Sequence, residues 1–127
     1  MATLAPTSSI HADSQRCELY FAIAGFWQLS EMRVFLDRLA NAAKPFMRGK
    51  QPFCALGNLA DFVPQDRATA DAIRDSLLLA SRNGLTRFAV VSPPPLVKMQ
   101  YRRIAAGLDV EFFNEENAAR AWLHSAS

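Results

Sequence analysis

Histidine, cysteine and glycine are all scarce in this chain. There are two histidines, two cysteines and five glycines among 127 residues. A metal centre needs clustered His, Cys, Asp or Glu, and His11 and His124 stand near opposite ends of the sequence. No histidine falls in the body of the chain to serve as base for a serine or cysteine nucleophile. The few glycines form no Gly-x-Gly-x-x-Gly, no Walker loop and no Gly-x-Ser-x-Gly, so phosphate-cradling loops and the nucleophile elbow are absent. Cys17 and Cys54 lie in apolar, strand-like contexts and read as buried free thiols, which suits a reducing compartment. No apolar run reaches the ~18 residues of a membrane span. The first basic residue is Arg16, so no positive n-region of a secretory signal precedes it. A cytoplasmic protein is expected. The formal charge of +2 is low. A nucleic-acid binder would carry more, with aromatics interleaved among its cations, and none is expected as partner.

What is present is the balance of a folded globule, with half the residues hydrophobic and a fifth charged. The length suits one domain, with residues 10–127 as its body and 1–9, small and polar, as a flexible leader. Ile10–Asp13 and Cys17–Ala24 read as strands joined by a turn at Ser14–Arg16, an N-terminal hairpin. Ser30 is a candidate N-cap. From Glu31, the spacing of Met32, Phe35, Leu36, Leu39, Ala43 and Phe46 predicts a helix that ends before Gly49. Phe53–Leu59 reads as a buried parallel strand. Pro64–Asn83 follows as a helix with Ile73, Leu77 and Ala80 inward. Arg87–Ser92 is a third buried strand. Pro93-Pro94-Pro95 leads into a helix over Leu96–Ala106. Asp109–Phe113 is the last strand, and Asn114 can cap a final helix that docks through Ala118, Ala119, Trp122 and Leu123. Strands alternating with helices imply an α/β fold: a mostly parallel sheet of four to five strands, with about four helices on its faces.

Gly25 after the first core strand, the strand Phe53–Leu59 and the run Leu77–Val91 (LLLASRNGLTRFAVV) carry a family pattern. Met99–Arg103 (MQYRR) and Phe112–Leu123 (FFNEENAARAWL) complete it. From about Ile10 to Leu123 the chain resembles the STAS-like domains related to bacterial anti-sigma-factor antagonists, whose broader fold is shared with lipid-binding CRAL-TRIO domains. The resemblance implies a regulatory or binding role without chemistry. In those antagonists a serine at the start of the helix after the second core strand is phosphorylated. The matching stretch Asp61–Arg67 holds neither serine nor threonine, so the phospho-switch is not carried over.

In an open α/β sheet, ligands bind outside the carboxyl ends of the parallel strands. That rim holds Phe26, Trp27 and Phe62, with the polar residues Asn58, Asp61, Ser92 and Asn114. Exposed together, the aromatics would form a patch for a ligand or partner. Folded down, Phe26 and Phe62 would be staples on the helices that follow. The polar residues stand beside helix N-termini, where they either help hold an anion or cap and turn the chain. Asp61 would oppose an anion. Asp61 and Asp66 make a conceivable acid/base pair, but a capping role is the more ordinary one. From Ser76 to Leu108 there are five cations, Arg82, Arg87, Lys98, Arg102 and Arg103, and no carboxylate. Lys98 and Arg102 share a helix face with Arg103 beside them, a basic patch able to meet an acidic protein, a phosphate or an anionic surface.

The sequence therefore predicts a non-catalytic regulatory or protein-interaction module with an unidentified protein partner. It predicts no cofactor and leaves a homodimer open. The alternative, a small-molecule or lipid binder, requires an apolar pocket of at least ~300 Å³.

Overall fold

A computed structural model describes residues 5–125. Its elements run β1 (Thr7–Asp13), β2 (Glu18–Ala24), α1 (Leu29–Arg48), β3 (Phe53–Asn58), α2 (Arg67–Arg82), β4 (Leu85–Val91), α3 (Pro95–Ile104), β5 (Val110–Phe113) and α4 (Glu116–His124). The expected order of elements is the order found. The strands lie side by side in chain order, with β1 antiparallel to β2 and every later neighbour parallel.

Side chains alternate across each strand and sort the core into two layers. Leu19, Phe21 and Ile23 of β2, Phe53 and Ala55 of β3, and Phe88 and Val90 of β4 face one side. There they meet Met32, Phe35 and Phe46 of α1, Ile73 of α2, and Val97, Tyr101 and Ile104 of α3. Leu56, Ala89 and Val91 face the other side and are covered by Ala119 and Leu123 of α4. Three helices thus share the front of the sheet and one covers the back.

Several boundaries differ from expectation for local reasons. β1 begins at Thr7, so Thr7–Ser9 belong to the sheet and not to a leader. Residues 1–4 lie outside the described part. The hairpin turn is held by Asp13, whose Oδ1 accepts the backbone N–H groups of Gln15 and Arg16 at 3.0 and 3.1 Å. α1 is capped at Gln28 and not at Ser30: the Glu31 side chain reaches back to the Gln28 N–H at 2.8 Å and so starts the helix earlier. α2 begins at Arg67, not Pro64, because the Asp66 carboxylate takes the Thr69 N–H at 2.9 Å. Asn114 does not cap α4. Its carbonyl accepts the Ser92 hydroxyl at 3.0 Å, and Glu115 holds the cap position. Ser92 itself is left-handed, with φ +56°. Its N–H donates to Phe113 O at 2.7 Å, so the ends of β4 and β5 are tied where the chain turns into the three prolines.

Gly57 sits under the Phe21 ring. A Cβ there would stand 2.4 Å from Phe21 Cζ, and that ring is hemmed in by Phe35 and Phe88 at centroid distances of 5.8 and 5.7 Å. Gly57→Ala is therefore expected to overpack the core and cost about 1–3 kcal/mol, read as a lower urea midpoint at unchanged slope.

Candidate functional site: the rim of the sheet and the outer face of α3

The aromatic rim is closed. Trp27 is 5% exposed and Phe62 1%, both within the front core, and Phe26 is half-buried. Of the two sequence readings, an exposed patch or residues folded down, Phe62 follows the second. It packs edge-on to Tyr101 at 6.3 Å. Burial drives the Tyr101 phenol upward from its ordinary pKa.

The residue that closes the rim, Gln65, was not singled out by sequence reasoning. It is buried between three segments. Its Oε1 accepts the Trp27 N–H at 2.9 Å, and its Nε2 donates to the carbonyls of Gly25 (3.1 Å) and Val63 (2.6 Å). Its own backbone is bracketed by Gln100 of α3, which accepts from the Gln65 N–H at 2.9 Å and donates to the Gln65 carbonyl at 2.8 Å. Two glutamines therefore join the β2–α1 loop, the entry to α2, and α3.

The polar rim residues serve turns. Asn58 Oδ1 accepts the Ala60 N–H at 2.9 Å. Asp61 is exposed and its carbonyl accepts the Gly25 N–H at 2.9 Å. Ser92 and Asn114 bond each other as above. Asp66 caps α2, and the Thr69 N–H holds its carboxyl below the usual range. A second anion at this helix end would meet a carboxylate already seated there.

The five cations do not act as one group. Arg87 lies on the back of the sheet, 4.7 Å over the Trp122 ring, and donates to Trp122 O at 2.7 Å and Ser125 Oγ at 3.1 Å. Lys98 and Arg102 do share a flank of α3, and each places its charge 5.7 Å from the Phe112 ring centre. Arg103 is exposed. Between them stand two large apolar side chains in water, Leu96 at 66% and Met99 at 53% exposure. The outer face of α3 thus combines three cations with two apolar residues.

A second cluster was hidden from the sequence because its members are far apart in the chain. Glu18 is buried at the start of β2. It accepts the Tyr20 hydroxyl and lies 3.2 Å from His124 Nε2. Arg16 Nη1 stands against the same ring, 3.1 Å from His124 Nε2 and 3.3 Å from Nδ1. His11 stacks on Tyr20 at 6.0 Å from one strand over, and Arg120 of α4 lies 4.5 Å from the same ring centre. The two histidines, near opposite ends of the sequence, thus meet at one place: His11 lies on Tyr20 and His124 against Glu18. These contacts pin α4 to the hairpin. Among the described residues no group of three or more His, Cys, Asp or Glu is placed to hold a metal ion. Both cysteines are free thiols, but half-buried and not buried as expected. No described helix is long and apolar enough to cross a membrane.

Between α1, α2 and the sheet lies an apolar cavity of about 80 Å³, lined by Phe21, Phe35, Leu39, Ala43, Ile73 and Phe88 among others. That is well under the ~300 Å³ of a typical ligand pocket.

Two measurements test this geometry. Gln65→Ala leaves the Trp27 N–H and Gly25 carbonyl without partners, and a loss of about 2–3 kcal/mol is expected in urea unfolding. Desolvation, then the bond to Glu18, raises the Tyr20 phenol from 10.0 to about 12. The folded state therefore holds that proton more tightly than the unfolded chain. The stability this contributes is complete below pH 10 and disappears as pH rises toward 12. Absorbance titration of the phenols should show the late step, and Glu18→Gln should move it to lower pH.

The model of the SpoIIAA-like family matches residues 18–124. No curated protein matches the chain. Among solved structures, the chain is similar to an uncharacterized protein of the DUF3478 family from Shewanella loihica PV-4, described as having a SpoIIAA-like fold. The two share 17% identity with a TM-score of 0.67, over 97% of this chain and 98% of that one. At that identity the likeness is one of fold. The family match spans β2 to α4 and takes in the parallel sheet and all four helices, and on it the chain belongs to the SpoIIAA-like family.

Proposed function

We propose that this domain is a regulatory module that works by binding another protein and performs no chemistry itself. The observation that carries the reading is the outer face of α3. Leu96 and Met99 are held in water beside Lys98, Arg102 and Arg103, on a helix fastened to the rest of the fold by Gln100 and by Arg74, which donates to Ile104 O at 2.6 Å. Apolar side chains ringed by cations on a rigid element are what a protein partner with matching carboxylates recognises. Family membership fits a module of this kind. At the start of α2, where the sigma-factor antagonists carry their serine, this chain has Asp66 as helix cap and only a fully buried hydroxyl, Thr69, in the first turn, which supports partner binding that is not switched by phosphorylation there. Two free thiols fit action in the cytoplasm.

The cavity supports a second reading, a small apolar ligand held between α1 and α2, which would have to part for anything larger to enter. A reproducible added mass on each protomer in a native mass spectrum supports it, and a bare protomer mass removes it.

The partner reading is tested by a photo-crosslinking amino acid at position 99, compared with one at the exposed position 118 on α4. A discrete protein adduct from position 99 alone, lost on Arg102→Glu with Arg103→Glu, is expected. Equal adducts from both positions, or none from 99, would overturn it.

A further inference from the structure

The face of α3 has a complement on the same molecule. α1 and α2 run side by side with an open groove of about 570 Å³ between them. Its floor is made of small residues, among them Ala40, Ala72 and Ser76, which leave room for an incoming helix ridge. Its walls carry Asp37, Asp71 and Asp75, all exposed, with Leu36 and Leu79 as apolar contacts. Leu79 is 56% exposed. Arg33 is the one cation among the lining residues. None of the three carboxylates forms an ion pair with another described residue, and neither do Lys98, Arg102 and Arg103. Helix α3 itself has no carboxylate.

We infer that this groove receives α3 of a second copy of the chain. Leu96 and Met99 would meet Leu36 and Leu79, while Lys98, Arg102 and Arg103 would face Asp37, Asp71 and Asp75. This is a helix ridge laid in a groove, with charge setting its register. Groove and ridge lie on the same front face of the molecule, so each copy offers both, and the contact is either repeated head to tail or made twice in a twofold pair. The inference rests on reading α3 as a docking face and adds its regulation, because a copy seated on α3 covers the surface a partner needs.

The test is sedimentation equilibrium of the whole chain over a concentration series at low and high ionic strength. The weight-average mass is expected to rise above the 14.1 kDa protomer with concentration at low salt. It should fall toward that mass as salt is raised to about 1 M, where the Debye length is about 3 Å. Asp71→Lys with Asp75→Lys, and separately Arg102→Glu with Arg103→Glu, should each stay monomeric alone. Mixed, the two variants present opposite charges again and should regain association. A wild-type mass that stays at the protomer under every condition overturns the inference, as does a variant that associates as the wild type does. If the variants fail to fold, the wild-type salt series alone decides it. A monomeric wild type that still yields a foreign adduct from position 99 removes the self-association and leaves the partner reading standing.

Discussion

Gln65 is where three separate stretches of chain are fastened together, two by its side-chain amide and the third, α3, through its backbone. A primary amide offers two donors and two acceptor lone pairs. Here it meets one N–H from the β2–α1 loop and two carbonyls, one in that loop and one beside Gln65 itself. Those backbone groups lie beyond the ends of the parallel strands, where the only ladder contact among the described residues is the isolated bridge of Gly25 with Phe62. Buried without a partner, each would cost free energy comparable to a lost hydrogen bond. The clamp lets Trp27 and Phe62 move inward, and their burial completes the front core at the end of the sheet where an α/β fold would otherwise open a cleft. Gln100 extends the same network to α3, so the helix that exposes Leu96 and Met99 is tied to this rim.

The order of elements was legible because the signals are local. Helical spacing of Met32, Phe35, Ala43 and Phe46, the Asn83-Gly84 stop and the proline run each act within a few residues. The errors at the ends were local too. Ser30 is the better cap by residue type, yet Gln28 wins because Glu31 lies three residues on and closes the capping box. Asn114 has no capping role because α4 starts one residue later, with Glu115 at the cap position, while the Asn114 carbonyl takes the hydroxyl of Ser92 from the adjacent strand.

The candidate sites were legible only in part. The three cations of α3 could be placed together from their spacing, since one helix carries them. Arg87 could not be separated from them, because strand parity decides its side of the sheet, and it went to the back. Gln65 gave no signal: one polar residue beside a proline looks like any loop. The Glu18–His124 pair spans most of the chain and exists only after α4 has crossed to the back of the sheet, a step that no periodicity records.

The division of helices has a consequence for how the chain acquires its structure during synthesis. Each of the first three helices covers a strip of the front as soon as its strand is in place, and because strands pair in chain order, nothing waits for a distant segment. The back is different. Leu56, Ala89 and Val91 are all made before α4, the element that shelters them. A ribosome-bound chain therefore carries a bare apolar stripe on one side of an otherwise assembled sheet until α4 emerges. That interval is when the molecule is most open to chaperones and to mispairing with its neighbours.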